Sequence, residues 1–388
     1  MKTIANVAVG HKERNVLLVI IYKITFFAAF FVLTKVSFSF SNIPDPLEID
    51  DDSKIIFIDF LHATYHLNYD VNKKRVQAIS EIVFEQNEFG KPVIDMVDEP
   101  EAIYLNGKSV DSKVFALKDS STSFRYINVD LPKGIYDIRI VSLPRAHLKI
   151  SKRGVYHLFL MNDLQDRTFL EKYLPSNLEY DLYPMKFVIE IFGTSMPHNI
   201  FTNGIVMEIE TNKWEIQYPV YFSASSVYYH LGRSDKFDVL NTKLTSVDGR
   251  GISLQIYSKK VKYLDLNKFY KKTLKIITKL EEEYGAFPHS SLTIYAISGG
   301  WGMEYCGATI TGMRALSHEL FHSYLARGVM PVNGRAGWVD ESIACWRDRK
   351  YRVVKKLNIS STKLAWDSPY TRITNRKAYN EGEQLMAH

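Results

Sequence analysis

The sequence predicts a multidomain α+β protein, in which an N-terminal antiparallel β saddle or sandwich is followed by a mainly helical domain. The 388 residues exceed the usual size of one domain. Up to about residue 258 the chain has short apolar segments separated by turn residues, which is typical of antiparallel sheets. After about residue 262 apolar residues recur at helical spacing. We therefore expect an N-terminal segment 1–41, a β-rich domain 42–250 and a helical domain 251–388.

The composition excludes several classes of protein. Hydrophobic residues make up 46% of the chain and charged residues 24%, which is ordinary for a globular protein and excludes disordered, collagen-like and disulfide-scaffold proteins. The net charge of +6 is spread along the chain without a block of basic residues, so we expect no nucleic-acid partner. The two cysteines, Cys306 and Cys345, form no C-x-x-C pair, which excludes a cysteine-based zinc ribbon or thioredoxin-type site.

The N-terminal segment is typical of an export signal. Residues Val16 to Leu33 are nearly all apolar, with basic residues before them and acidic residues after them. Eighteen such residues form about 27 Å of helix, just short of a hydrocarbon core. Two alternatives fit: an uncleaved anchor that binds the membrane, or a signal peptide cut near Ser37, Ser39 and Ser41. Both predict an exported protein, membrane-anchored in the first case and secreted or periplasmic in the second.

The β-rich domain is predicted from its apolar segments and its turns. Turn signals include Asn106-Gly107, Pro132-Lys133-Gly134 and Asn203-Gly204. The predicted strands are Ile55–Ile58, Thr64–Tyr69, Ala78–Phe84, Phe124–Leu131, Tyr136–Val141, Met185–Phe192 and Ile205–Glu210.

The helical domain is predicted from a change of period. Tyr270, Leu274, Ile277 and Leu280 share one helical face, and the pattern stops at Gly285. The following predicted elements are a strand Leu292–Ile297, a glycine-rich bend at Gly299-Gly300, a helix from about Met313 to Arg327, a helix from near Asp340 and a last helix from about Lys377.

A metal site is predicted within this helical part. His318-Glu319-Leu320-Phe321-His322 spells H-E-x-x-H, and residues four apart on a helix lie on one face, where both imidazoles can bind one ion. Catalytic zinc takes three protein ligands and a water. Eighteen residues after His322, Glu341 opens the next predicted helix and is the candidate third ligand. Glu319, beside the pair, can accept a proton from zinc-bound water. The sequence therefore predicts one zinc ion per chain.

These motifs resemble the gluzincin aminopeptidases typified by membrane alanyl aminopeptidase. H-E-L-F-H and the later G-W-V-D-E-S match the metal motifs of that family, and the segment from Gly300 to Gly307 resembles its G-x-M-E-N segment in the G-M-E-Y form of bacterial members. Ala378-Tyr379-Asn380-Glu381-Gly382 resembles its Y-x-K-G turn. The resemblance implies a saddle domain followed by a thermolysin-like catalytic domain, and that domain is expected to be incomplete or short because the chain stops at His388.

The resemblance also implies roles for individual residues. His318, His322 and Glu341 would bind zinc, and Glu319 would be the general base. Tyr379 would stabilise the oxyanion, and Glu304 would hold the free amine of a peptide substrate, with Gly302 and Met303 beside it. Three residues differ from the family pattern, namely Tyr305, Ser342 and Glu381. The implied activity is removal of N-terminal residues from peptides.

Two questions stay open at the level of the sequence. The first is function, since a catalytically silent, metallopeptidase-like binding module at the cell envelope is the alternative to an enzyme. A structural envelope protein with an incidental H-E-x-x-H is disfavoured by the spacing of Glu341. The second is the state of the cysteines, because Cys306 and Cys345 flank the site and would form a disulfide in an oxidising compartment or remain two thiols.

Overall fold

The computed structural model describes residues 43–50, 53–117, 123–164, 168–260, 264–330, 334–359, 364 and 373–388. Residues 43–388 form one compact unit. The predicted signal or anchor segment, 1–41, lies outside the described residues. Among the residues that are described, no helix has the length and the apolar character needed to cross a membrane.

An eight-stranded sheet dominates the first part of the chain. Its strand order is β15-β16-β13-β3-β4-β10-β6-β7. Every neighbouring pair is antiparallel except β3 and β13, which run parallel from the pair Ala63 and Met185 to the pair Asp70 and Phe192. Its strands are β3 (Asp59–Asp70), β4 (Arg75–Gln86), β6 (Ala102–Leu105), β7 (Lys108–Val110), β10 (Gly134–Ser142), β13 (Met185–Phe192), β15 (Ile205–Glu210) and β16 (Lys213–Gln217).

Two smaller sheets pack with it. One has the order β1-β2-β5-β9-β8 and the other β11-β12-β17-β14. Their strands are β1 (Leu47–Asp50), β2 (Ser53–Phe57), β5 (Lys91–Asp95), β8 (Val114–Ala116), β9 (Phe124–Ile127), β11 (Leu148–Ser151), β12 (Gly154–Leu158), β14 (His198–Thr202) and β17 (Tyr229–Arg233).

The core of this part follows from strand alternation. In β13, and in β3 from Ala63 onward, every second side chain is buried, because successive residues of a strand point to opposite faces. The buried faces supply an aromatic-rich core that includes Tyr65, Tyr69 and Phe187. The β6–β7 hairpin closes at Asn106-Gly107, both with positive φ, as a tight two-residue turn requires.

The second part combines a five-stranded mixed sheet with helices. The sheet order is β18-β19-β20-β22-β21, so β21 lies at an edge. Its strands are β18 (Phe237–Thr245), β19 (Gly251–Lys259), β20 (Ser291–Ile297), β21 (Gly302–Tyr305) and β22 (Ala308–Gly312), and the helices are α1 (Leu266–Tyr284), α2 (Leu316–Phe321), α3 (Val339–Asp348) and α4 (Glu381–Ala387).

Local signals explain the bounds of α1. The Asp265 side chain accepts hydrogen bonds from the amides of Asn267 and Lys268, which caps the helix N-terminus. Gly285 ends the helix at a φ of 89°, a conformation that glycine adopts without strain. Phe269 and Ile277 are buried on the face that packs on the sheet.

Helix α2 is much shorter than the predicted helix from Met313 to Arg327. It ends at Phe321, and His322 is its C-cap. The chain then turns back: the amide of Arg327 bonds to the carbonyl of His322, and Ala326 adopts a φ of 95°. Gly328 fits into this turn because a Cβ there would lie 2.7 Å from the carbonyl oxygens of Ser323 and Tyr324. The apolar residues of the sequence keep their helical spacing up to Arg327, although the helix itself ends at Phe321.

The predicted class is confirmed in its coarse form and corrected in detail. The protein is rich in strands and has a large curved sheet in its first part, with strands at Met185–Phe192 and Ile205–Glu210 as predicted. The expectation of an antiparallel first part is wrong at two pairs, since β3 runs parallel to β13 and β2 runs parallel to β5. A mainly helical second domain is not confirmed, because the described residues there include the five-stranded sheet.

The division at residue 250 stays a prediction. It falls in the turn of the β18–β19 hairpin, whose two strands belong to the same sheet. An aromatic cluster joins the two parts of the chain, with Phe201 stacked on Tyr257 at 3.6 Å between ring centroids.

Candidate metal centre

Three side chains converge where α2 meets α3. The Nε2 atoms of His318 and His322 lie 3.3 Å apart. The Oε2 atom of Glu341 lies 3.0 Å from Nε2 of His318 and 3.6 Å from Nε2 of His322. His322 is fully buried, and Glu341 is nearly so. The structure therefore brings together the three predicted metal ligands.

The spacing of these atoms fits a tetrahedral zinc ion. Zinc bonds of about 2.0–2.1 Å place tetrahedral ligand atoms about 3.3–3.4 Å apart, and the three observed separations of 3.0, 3.3 and 3.6 Å bracket that value. Each imidazole also has a partner on its other nitrogen. Nδ1 of His318 bonds to Oδ2 of Asp348 at 2.8 Å, and Nδ1 of His322 bonds to the carbonyl of Leu325 at 3.2 Å. Since both Nδ1 atoms donate, both Nε2 lone pairs face the same point.

The charges at this point favour a cation. Burial by itself would lower the pKa of His318, but its hydrogen bonds to Asp348 and Glu341 outweigh burial and raise that pKa well above its ordinary value. Burial would raise the pKa of Glu341, but the two histidines hold it well below its usual range. The cluster therefore attracts positive charge, which is what three metal ligands must do.

The predicted base lies beside the ligands and under the edge strand. Glu319 is 6% exposed, and burial raises the pKa of its carboxyl above the ordinary value. A Cβ on Gly302 would lie 2.4 Å from the carboxyl carbon of Glu319, so only glycine lets β21 pass this close. Gly302 is thus part of the site, although as a backbone contact.

Strand β21 presents Gly302 and Glu304 to the site, and Met303 and Tyr305 to the aromatic cluster. This is the ordinary alternation of a strand. The Tyr305 hydroxyl accepts a hydrogen bond from the amide of Met161 at 2.8 Å, which ties β21 to the first part of the chain. Glu304 is 4% exposed, and its carboxylate lies within 4.8 Å of a ring nitrogen of His322. Glu304 therefore lies beside the candidate ligands, whereas the Met303 side chain is turned away.

Glu304 has a partner that the sequence reasoning missed. Nη2 of Arg327 lies 3.1 Å from Oε1 of Glu304, and both side chains are buried. Arg327 lies on the turn that ends α2, five residues after His322. Its presence in the turn that follows H-E-x-x-H is the one signal that could have identified it.

Tyr379 also reaches the site. Its phenol lies close enough to Glu341 that burial, followed by the charges of Glu341 and Asp163, raises its pKa above the ordinary value. Ser342 positions this residue: its hydroxyl bonds to the carbonyl of Trp338 at 2.7 Å and lies 3.1 Å from the carbonyl of Ala378. A serine at this position, where the family pattern has glycine, therefore joins α3 to the turn that contains Tyr379.

Asp348 is the other residue that the sequence reasoning missed. It follows Glu341 by seven residues, which places both on the same face of α3. Carboxylates that bond to a ligating histidine fix its ring and raise its basicity. We expect Asp348→Ala to weaken zinc binding about 10- to 100-fold, as measured by competition with a metal indicator. Asp235→Ala, in an exposed ion pair with Arg233, is the control and should not change the zinc affinity. An unchanged affinity in Asp348→Ala would contradict this role.

The cysteines are both free thiols in the structure. Cys306 is buried and contacts the hydroxyl of Ser226 and the carbonyl of Arg327. Cys345 is half-buried, with its sulfur within 4.8 Å of ligand atoms of His318 and Glu341. Of the two alternatives, the structure therefore has two thiols and no disulfide between Cys306 and Cys345.

Comparison with known proteins supports the fold. No protein-family model and no curated protein matches this sequence. Among solved structures, the chain is similar to leukotriene A4 hydrolase from Saccharomyces cerevisiae, with a TM-score of 0.57 and 16% sequence identity. The match covers 76% of this chain and 48% of the yeast protein, so the chain spans about half the length of that protein.

Two further solved structures are similar in fold, and the match covers more of their length. An M1 zinc metallopeptidase from Deinococcus radiodurans has a TM-score of 0.52 at 12% identity, covering 76% of this chain and 71% of that protein. A mutant two-domain M1 zinc metallopeptidase bound to L-tryptophan has the same TM-score and identity, covering 76% and 72%. These identities support the fold alone. The chain described here has the fold of the M1 zinc metallopeptidases.

Proposed function

We propose that this protein hydrolyses peptide bonds with one zinc ion held by His318, His322 and Glu341. The observation that carries the proposal is the convergence of their ligand atoms within 3.6 Å, with each histidine held by a bond to its other nitrogen. Two imidazoles and one carboxylate converging on one point are a ligand set that catalytic zinc takes in proteins. The M1 metallopeptidase fold supports the same conclusion.

The residues around the ligands supply the remaining chemistry. Zinc, when bound, acidifies water and polarises a peptide carbonyl. Glu319, buried beside the ligands, would accept a proton from the attacking water and pass it to the leaving amine. The Tyr379 phenol, kept protonated by its raised pKa, can donate to the developing oxyanion. In the described part of the chain β21 pairs only with β22, so its outer edge can bind an extended peptide through backbone hydrogen bonds.

The finer proposal is that cleavage occurs next to the N-terminal residue of the peptide. It is supported by residues 161–163 of the first part of the chain, which pack beside Arg327 and Tyr305. Met161 contacts Arg327 and Tyr305, and Asp163 hydrogen-bonds Thr374. A substrate strand running along β21 towards Glu304 would therefore meet residues 161–163 after few residues, which favours an exopeptidase.

Zinc analysis combined with peptide hydrolysis tests the proposal. The purified protein should contain one zinc per chain and cleave a free peptide, with the released residue identified by mass spectrometry. Chelation should abolish cleavage, and added zinc should restore it. Stoichiometric zinc without hydrolysis of any peptide in a mixed library would instead support the silent binding module. Absence of zinc would refute both.

Tyr379→Phe tests the proposed oxyanion donor. The change removes only the hydroxyl, and loss of such a donor typically costs about 10²–10³ in kcat. Zinc content should be unchanged, because Tyr379 is not one of the three proposed ligands. Tyr351→Phe, which lies on the exposed surface, is the control and should keep full activity. A Tyr379→Phe variant with unchanged kcat would exclude this role.

We also propose that the protein is exported. The proposal rests on the apolar segment Val16–Leu33 and the charges around it. An anchored protein is expected in the membrane fraction, with residues 43–388 open to protease added from outside. A cleaved protein is expected outside the cytoplasm, with a new N-terminus near residue 41. Recovery of the intact chain from the cytoplasm would contradict both forms.

A further inference from the structure

A cavity outside the candidate metal centre is lined mainly by basic side chains. It lies where the β11–β12 hairpin and the end of β17 meet the β18–β19 hairpin, and its volume is about 630 Å³. Its one acidic lining residue is Asp235, and its six basic ones are Lys149, Arg153, Arg233, Lys236, Lys259 and Lys260. This basic cavity therefore has a charge of +5, in a chain whose net charge is +6.

Strand pairing brings these residues together. Lys149 of β11 lies opposite Tyr156 of β12, which in turn lies opposite Gly232 at the end of β17. Beyond β17 the amide of Lys260 donates a hydrogen bond to the carbonyl of Lys236 at 3.0 Å. The basic residues come from strands of two different sheets, so their concentration is a product of the tertiary structure.

Two of the cations are held in fixed positions. The Arg233 guanidinium donates two hydrogen bonds to the carboxylate of Asp235, at 2.9 and 2.6 Å, and its side chain is only 16% exposed. The ammonium nitrogen of Lys259 lies 4.1 Å from the ring centroid of Tyr156. Charged groups that are already positioned lose less conformational entropy when a ligand binds.

Most of the positive charge in the basic cavity is uncompensated. Asp235 is shared between Arg233 and Lys236. Within the ranges that the structure describes, Lys149, Arg153 and Lys260 form no ion pair. A cleft lined by charges of one sign raises the local concentration of ions of the opposite sign.

We propose that the basic cavity binds a small anion that carries at least two phosphate groups. One monoester phosphate carries a charge of roughly −1.5 to −2 near pH 7, so a single group would leave most of the +5 uncompensated. Guanidinium groups match phosphate oxygens in a bidentate way, and lysines bind phosphate as point charges. The volume lies within the range of about 300–1,000 Å³ that is usual for small-molecule sites. The candidate zinc ligands lie on other elements, so this proposal does not depend on the peptidase.

Calorimetry on the full chain tests the proposal, with tripolyphosphate as the probe and inorganic phosphate and citrate as comparisons. At an ionic strength of about 0.15 M we expect one tripolyphosphate per chain, bound at least about tenfold more tightly than either comparison anion. Citrate bound as tightly as tripolyphosphate would overturn the assignment to phosphate. Absence of tripolyphosphate binding at about 1 mM would overturn the site.

A triple variant of the basic cavity identifies where the anion binds. Lys149→Gln, Arg153→Gln and Lys260→Gln together remove three of the six cations, and all three side chains are exposed, so the fold should be kept. We expect the affinity for tripolyphosphate to fall about tenfold or more, as expected for the loss of three partly solvated charge contacts. An unchanged affinity would overturn the proposal.

A second triple variant is the matched control for net charge. Lys108→Gln, Lys133→Gln and Lys271→Gln remove the same charge from exposed positions outside the basic cavity. The affinity should stay within about twofold of that of the unmodified protein. Equal weakening in both triple variants would mean adsorption to the overall charge and would overturn the site. Both variants keep the candidate zinc ligands, so any effect of the anion on a bound metal is the same in all three proteins.

Lipid vesicles identify the source of the phosphates. Cardiolipin carries two phosphate groups, so cardiolipin vesicles should compete with tripolyphosphate if the natural ligand is a lipid headgroup. If the ligand is a free oligophosphate, the vesicles should not compete. Either result supports the phosphate site and assigns its source. Equal competition by vesicles of phosphatidylcholine, whose headgroup has no net charge, would overturn the role of the basic residues.

Discussion

Glu319→Gln is expected to lose nearly all hydrolytic activity while it keeps its zinc. The side chain is buried beside the candidate ligands, and a Cβ on Gly302 of β21 would lie 2.4 Å from its carboxyl carbon. A glutamine of the same shape cannot accept the proton of the attacking water, and loss of a general base costs about 10²–10⁴ in rate. The measurement is kcat/KM on a cleaved peptide, together with zinc content by elemental analysis.

Two comparisons make this result specific. Glu85→Gln changes a half-buried glutamate on β4, far from the site in sequence, and should keep full activity. Equal zinc content in Glu319→Gln and the unmodified protein shows that the ligands are intact. A Glu319→Gln protein within threefold of normal activity would mean that another residue is the base.

His318→Ala and Glu341→Ala are expected to abolish stoichiometric zinc binding. Each substitution removes one of the three proposed ligand atoms. The remaining two still lie close together, but catalytic zinc takes three protein ligands. We expect the unmodified protein to melt at a higher temperature with zinc than after chelation, because an ion that binds only the folded state stabilises it. In either variant this difference should disappear.

His66→Ala provides the matched control for the ligand variants. His66 lies on β3 with one side exposed and pairs with Glu81, so its loss removes a histidine without touching the site. It should retain one zinc per chain and the chelation-dependent shift in melting temperature. Normal zinc content in both His318→Ala and Glu341→Ala would refute the assignment of the metal ligands.

Much of the site follows from local sequence. The pair His318 and His322 converges because residues four apart share one face of a helix, and only one turn of α2 is needed to form it. Glu341 is placed in the first turn of α3, as its spacing predicts. For the same reason, strands such as Met185–Phe192 were predicted at their observed bounds, since burial on one face imposes a period of two.

The end of α2 shows where such reasoning fails. The apolar period continues to Arg327, but the helix ends at Phe321 because the chain folds back through Ala326 and Gly328. That reversal is what carries Arg327 to Glu304. Parallel pairing of β3 with β13 is equally invisible in the sequence, because apolar alternation is the same for parallel and antiparallel neighbours.

The sequence by itself therefore predicted the candidate metal ligands, the candidate base and several of the strands, because each depends on residues close together in the chain. Only the tertiary structure decided the environment of those ligands. Asp348 on His318, Arg327 on Glu304 and Ser342 beside Ala378 are contacts between residues 23 to 36 positions apart. Such contacts depend on how helices and strands pack, and no periodicity in the sequence encodes them.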